Sequence, residues 1–185
     1  MITVRDDDVL LPGSRQKDPL TRFIEVHEII AEAGALHSLG VLCGEIQHYP
    51  GAIDYIREKL HAHEMDPQIH GWAHRPYHTF PTHRIVHHLN LCIDFFDEHW
   101  MLQPTKFYTP WGGDSPELRE ACEITGLELV DCSNILQVKT VRTHPKGWRG
   151  KGKTGDVTLF IHWWEYGTGR LRQALEILND STVLS

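Results

Sequence analysis

The segment Pro67-Gln68-Ile69-His70-Gly71-Trp72-Ala73-His74-Arg75-Pro76 sets a short apolar run directly ahead of two imidazoles four residues apart. A run of that length bounded by turn residues reads as a buried strand, and polar residues at its carboxyl end lie where α/β folds gather their chemistry. The spacing suits a metal. If one helical turn separates the rings, their Cβ atoms lie about 5–6 Å apart, and both can reach an ion bonded to nitrogen at roughly 2.0–2.1 Å. A third ligand is required, and the acidic run Asp6-Asp7-Asp8, at the end of the opening apolar segment, can bring at least one carboxylate to the same cleft.

Outward from this strand, strand and helix signals alternate to both ends of the chain. Residues 1–8 read as a strand with Ile2 and Val4 on one face, and residues 19–34 as a helix with Phe23, Val26, Ile29, Ile30 and Ala33 on its apolar side, closed by Gly34. Leu39 to Cys43 reads as a second strand, Ala52 to His63 as a second helix, and residues 82–100 as a long helix capped by Thr82. Further strands are expected over Lys106–Pro110, Leu127–Val130 and Val157–Ile161. Ser115-Pro116-Glu117 opens another helix that Gly126 ends, and Arg170–Leu178 forms the last one. Successive βα units on 185 residues predict a single α/β domain over residues 1–185, a small distorted or incomplete (β/α) barrel on parallel strands. In such a fold Asp6 to Asp8, His70, Trp111-Gly112-Gly113, Asp131 and His162 would converge on one mouth, since each follows an apolar segment.

Composition narrows the partners. A net charge of −7 with no basic balance argues against nucleic acid, and no apolar stretch approaches the roughly 20 residues of a membrane-spanning helix. Met1 runs directly into Ile2-Thr3-Val4-Arg5 without the charged start and apolar stretch of a secretory signal, which predicts a cytoplasmic protein. Cys43, Cys92, Cys122 and Cys132 form no Cys-x-x-Cys pair and are expected as reduced, mostly buried thiols. Nothing in the sequence indicates an oligomeric state.

In order and rough spacing these residues resemble the polysaccharide deacetylases, the NodB-homology group of carbohydrate esterase family 4. The resemblance covers nearly the whole chain. That family's first motif is an aspartate pair ending the opening strand; its second, His-Ser/Thr-x-x-His-Pro, corresponds to His70-Gly71-Trp72-Ala73-His74. Its third, an Arg-Pro-Pro-Tyr-Gly-like turn, corresponds to Phe107-Tyr108-Thr109-Pro110-Trp111-Gly112, and its last, a Leu-x-His strand end, to Phe160-Ile161-His162-Trp163-Trp164-Glu165. Strand alternation selects Asp7 and Asp8 as the pair, because that register keeps Ile2 and Val4 at the apolar positions; choosing Asp6 and Asp7 would put Thr3 and Arg5 there. Asp6 stays open as a substitute, or as a carboxylate orienting Arg5.

The resemblance implies a metal-dependent hydrolase that removes an acetyl or similar acyl group from an N-acylated sugar or related amide, cutting a linear amide C–N bond. It implies one divalent ion, zinc foremost with cobalt, nickel or iron as alternatives, held by Asp8, His70 and His74. Asp7 would act as base and His162 as the acid that protonates the leaving amine. Trp111, Gly112 and Tyr108 would lie on the substrate and oxyanion side. The chain also departs from the pattern: Tyr108 stands where the third motif has the arginine that orients the catalytic aspartate, Thr109 replaces a proline, Gly71 the usual hydroxyl residue and Arg75 a proline. A tyrosine cannot act on a carboxylate by opposite charge, so Arg5, Arg75 and Arg142 are the candidates to supply it.

Two other functions fit parts of the pattern. One is a degenerate deacetylase fold that only binds carbohydrate. The other is a non-haem iron oxygenase, because two histidines and one carboxylate also form that facial triad. Plainer readings hold elsewhere. His83 and His87 share the four-residue spacing, but no strand-end carboxylate accompanies them and a solvated helix face explains them, as it does His61 and His63. Trp72, Trp111, Trp163 and Trp164 could stack on sugar rings, although burial tendencies favour wall residues. The basic stretch from Arg142 to Lys153, with Lys146, Arg149 and Lys151, reads as a surface loop, or as a lid attracting an anionic substrate.

Overall fold

The computed structural model describes residues 2–10, 18–130, 136–137, 157–163 and 167–180. Among the described residues seven strands form one sheet: β1 (Ile2–Val9), β2 (Leu36–Leu42), β3 (Met65–Gly71), β4 (Lys106–Tyr108), β5 (Glu128–Val130), β6 (Leu136–Gln137) and β7 (Val157–Ile161). Their order is β5-β4-β3-β2-β1-β7-β6, and the paired neighbours run parallel. This is the chain order read around a ring, with β7 returning beside β1 and the ring open between β5 and β6. An incomplete (β/α) barrel results, as the alternation of signals predicts. Its helices are α1 (Pro19–Glu32), α2 (Cys43–Ile46), α3 (Pro50–His61), α4 (Thr82–Trp100), α5 (Pro116–Thr125) and α6 (Thr168–Asn179).

The helices begin and end where local chemistry allows. Asp18 caps α1 by accepting from the Thr21 N–H at 3.1 Å, with Pro19 in the first turn. Ser115 caps α5 through the Leu118 N–H at 3.2 Å, and Gly126 leaves that helix at φ +71°. Thr82 does not cap α4: Pro81 occupies the cap position, Thr82 starts the helix, and its hydroxyl donates to Glu120 at 2.7 Å. α2 and β6 have no counterpart in the sequence reading. One helical turn and two residues are too short to show a period.

The core lies between the sheet and its helices. Phe23, Val26, Ile29 and Ile30 of α1 are buried as expected, together with Leu39, Val41, Ile69 and Phe107 from the strands and Ile85, Leu89 and Phe96 from α4. The barrel interior is polar by contrast. The Arg5 guanidinium lies 3.7 Å from the centre of the Tyr108 ring, and β2 and β3 separate β1 from β4 in the sheet. That contact therefore crosses the interior, so Arg5 and Asp7 point inward. Asp6, on the alternate face, meets His37 and the layer of α1. Cys43, Cys92 and Cys122 are buried free thiols, as expected, and Cys132 lies outside the described residues. Among the described residues no helix is long and apolar enough to cross a membrane.

Candidate active site

The end of β1 breaks strand geometry. Neighbouring residues of a regular strand point to opposite faces, yet Asp7 and Asp8 both face the carboxyl end of the sheet. The β1–β2 register shifts between Asp6 and Val9, and Asp8 and Leu10 adopt φ of 59° and 57°. Non-glycine residues in this region carry a backbone cost of roughly 1–2 kcal/mol, and such outliers gather at functional sites. Trp163 pins the irregular segment: its backbone N–H donates to Asp6 Oδ1 at 2.8 Å and its indole N–H to the Asp8 carbonyl at 3.1 Å. It is 1% exposed, so it is a wall residue.

Asp8 Oδ1 stands 3.0 Å from Nε2 of both His70 and His74, and the three candidate ligand atoms lie within 4.8 Å of one another. The oxygen is buried, and neither imidazole is aligned with it as a hydrogen-bond donor. Ligand atoms around an ion with bonds of about 2.1 Å stand roughly 3.4 Å apart. The two distances from Asp8 to the imidazoles fall within a few tenths of an ångström of that spacing, and the cluster could hold a divalent cation. Burial would raise the Asp8 carboxyl, but the two imidazoles outweigh it and hold the group below the ordinary carboxylate range. His70 donates from Nδ1 to the Tyr108 carbonyl at 2.5 Å, which leaves the Nε2 lone pair directed at the cluster. Burial opposes charge on His70, yet Asp7 and Asp8 beside it raise its pKa. His162 completes the ring of side chains, with Nε2 3.7 Å from Asp8 Oδ2.

Asp7 is held from below. Arg5 Nε donates to its Oδ1 at 2.9 Å and Nη2 to its Oδ2 at 2.6 Å, and both residues are almost fully buried. Of the three arginines considered from sequence, Arg5 makes this pair; Arg75 is surface-exposed and Arg142 lies outside the described residues. Tyr108, grouped from sequence with the substrate side, is placed otherwise. Its ring lies against the Arg5 guanidinium, its hydroxyl shares a 3.0 Å hydrogen bond with Ser38, and only its carbonyl reaches the site, through His70. Burial raises the Tyr108 phenol, so it stays neutral there.

The loop after β3 carries His74. Tyr77 organises it: the hydroxyl accepts from the Trp72 N–H at 2.8 Å and lies 3.3 Å from His88 Nδ1. Gly71 has φ +132°, and a Cβ there would come 2.9 Å from the same hydroxyl. This explains why no hydroxyl side chain stands at position 71: Tyr77 fills that space with its own. Trp111 borders His74, their ring centres 4.8 Å apart, and is 72% exposed at φ 64°. Gly112 follows at φ +62°, its N–H bonded to the Thr109 carbonyl at 3.2 Å, while the Thr109 hydroxyl donates to the Gly113 carbonyl at 3.1 Å.

Asp6 neither joins the cluster of Asp8, His70 and His74 nor pairs with Arg5. Burial raises its carboxyl well above the ordinary range, and its Oδ2 faces His37 Nε2 at 3.5 Å. His37 Nδ1 is 3.2 Å from His27 Nδ1, and His27 Nε2 is 3.3 Å from Glu64 Oε2. Burial pushes His37 down to about 3 and His27 down to about 4, so both are neutral rings. The sequence reading missed this string; only the identity of His27 on the apolar face of α1 hinted at it. His83, His87, His61 and His63 are exposed, in agreement with the plainer reading. Asp131, Trp164, Glu165 and the basic stretch from Arg142 to Lys153 lie outside the described residues.

No family model and no curated protein sequence matches the chain. Solved structures do. Peptidoglycan deacetylase PdaC from Bacillus subtilis superposes with a TM-score of 0.67 at 18% identity, over 98% of this chain and 83% of that one. A family 4 carbohydrate esterase from Streptomyces lividans, in complex with acetate, gives 0.71 at 13% identity, over 98% and 88%. A CE4-family pseudoenzyme from Bacillus anthracis gives 0.72 at 10% identity, over 97% and 60%. At these identities the likeness is one of architecture: the chain has the NodB-type incomplete (β/α) barrel fold of the family 4 carbohydrate esterases.

Proposed function

We propose that the protein is a metal-dependent deacetylase acting on an N-acetylated saccharide. The observation that carries this reading is the convergence of Asp8, His70 and His74 on one point beside a carboxylate, Asp7, held by a buried arginine. Asp8, His70 and His74 would hold the ion, with zinc the first candidate among divalent metals. When bound, such an ion supplies a Lewis acid and a water of lowered pKa. Asp7 receives the proton of the attacking water. The Trp111 backbone N–H, in a turn beside His74, would donate to the oxygen that gains charge as the acyl carbon becomes tetrahedral. His162, across Asp8 from the histidine pair, delivers the proton to the departing amine. The exposed Trp111 ring offers a sugar a flat apolar face.

A second reading, a fold of this kind that binds carbohydrate without turnover, is favoured by the pseudoenzyme among its structural neighbours and by Tyr108 at the arginine position. The fold shared with family 4 carbohydrate esterases supports both readings over the iron oxygenase. Acetate release from chito-oligosaccharides and nucleotide sugars, run beside metal analysis of wild type, Asp8→Ala and His74→Ala, separates them. Turnover by the wild type and loss of at least about a hundredfold in metal affinity in both variants are expected. Full metal retention in both would sink the ligand assignment; sugar binding without acetate, indifferent to Asp7→Asn, would favour the binding module.

A further inference from the structure

We infer that Arg5 is the positioning residue of Asp7, and that Tyr108, Ser38 and Gly40 complete its support inside the barrel. What the carboxylate does rests on the deacetylase reading; how it is held rests on contacts alone. Two parallel hydrogen bonds from one planar guanidinium, at 2.9 and 2.6 Å, fix both the position and the plane of the Asp7 carboxylate, which a single donor would leave free to rotate. The guanidinium is fixed in turn by the Tyr108 ring at 3.7 Å, and that ring by the Ser38 hydroxyl. On β2, Gly40 leaves the space the carboxylate fills: a Cβ there would stand 2.5 Å from Asp7 Oδ1.

Stability alone does not explain this arrangement. A buried ion pair of good geometry commonly contributes no more than well-packed apolar side chains of the same volume, because desolvating both charges offsets their attraction. Here the pair stands inside a barrel whose outer face is built from ordinary apolar residues, and its acid faces the same mouth as Asp8 and His70. The geometry also explains the tyrosine at the end of β4. Arg5 brings the guanidinium from β1, and Tyr108 supplies the surface on which it lies. Lysine at position 5 would keep the charge but could not hold both oxygens in one plane.

The test uses metal-loaded wild type, Arg5→Lys, Tyr108→Phe and Tyr108→Leu, with kcat, KM and metal content measured for each on acetylated chito-oligosaccharide. Arg5→Lys is expected to keep its metal and KM while kcat falls by about a hundredfold, the loss that a misplacement of about 1 Å produces. Tyr108→Phe, which retains the ring, should lose less kcat than Tyr108→Leu. Urea unfolding of Arg5→Met, Asp7→Asn and the double variant reads the pair independently of turnover. Arg5→Met should lower the midpoint, and adding Asp7→Asn should recover part of the loss, since the carboxylate is no longer left uncompensated. A kcat for Arg5→Lys within threefold of wild type, or simply additive urea effects, would overturn the inference. Absence of turnover in the wild type would instead defeat the deacetylase reading, and the urea coupling would still decide whether Arg5 holds Asp7.

Discussion

Replacing Gly40 by alanine tests the inner support with the smallest possible change. A methyl group at this position would come 2.5 Å from Asp7 Oδ1 and 3.2 Å from Asp7 Cα. The Cα belongs to the backbone of β1, the strand paired with β2, and cannot retreat, so the carboxylate has to swing out of the Arg5 fork. Overpacking a buried site costs about 1–3 kcal/mol, and removing a glycine from the unfolded chain returns about 0.4–1 kcal/mol. The difference, about 0–2.6 kcal/mol, corresponds in a domain of this size to a fall in Tm of at most about 10 °C. Turnover should suffer more than stability, with kcat falling about 10–100-fold while KM and bound metal hold. Gly34→Ala is the matched control. It places a side chain at φ +67° with nothing within 4 Å, so it should cost roughly 1–2 kcal/mol of backbone strain and leave kcat alone. Thermal melts and acetate release on both variants decide the matter. If Gly40→Ala keeps full kcat, or if both variants lose activity only in step with stability, the steric reasoning about Asp7 is wrong.

Two further outcomes are expected. Trp111→Gly should raise Tm, because it relieves a left-handed tryptophan whose side chain is 72% exposed and so gives up little burial; KM for a saccharide should rise about 2–13-fold if the ring stacks on sugar, as 0.5–1.5 kcal/mol implies. A lower Tm or an unchanged KM would contradict this. The buried histidines set the acid response. His27 and His37 have folded pKa values of about 4 and about 3, so between these and about 6.5 the unfolded chain binds their protons and stability falls with falling pH, by about 1.4 kcal/mol per pH unit for each ring. Asp6 acts in the opposite sense, since its raised pKa makes the folded state hold a proton that the unfolded chain releases above about 4. Asp6→Asn should therefore steepen the decline of urea midpoints between pH 6 and pH 5, and a shallower decline would refute the assignment.

The proposed centre combines rigid and strained parts in a way that suits its chemistry. The proposed ligands Asp8 and His70 stand at the ends of β1 and β3, the two strands that flank β2 in a parallel sheet whose hydrogen-bonded ladder limits their movement. His74 and Trp111 sit on short turns fixed by Tyr77 and Thr109. Precision at the proposed centre thus comes from β1 and β3, and its open side is built from loops.

The strand and helix periods, the caps at Ser115 and Gly126, and the ordered spacing of Asp7, Asp8, His70, His74 and His162 were legible in the sequence because each depends on neighbours along the chain. Alternation correctly kept Val4 in the core, yet it could not show that Asp8 abandons strand geometry, the device that brings two adjacent carboxylates to one mouth. Nor could it choose among the arginines. Arg5 and Tyr108 are separated by 103 positions and by two intervening strands, and only closure of the sheet toward a barrel brings them to 3.7 Å. The string from Asp6 through His37 and His27 to Glu64 likewise exists only where α1 packs on β2 and β2 pairs with β1. Local order is written in short-range backbone and hydrophobic preferences. The partners of buried charges are not, because they are chosen by whatever the fold places within a few ångströms once water has been removed.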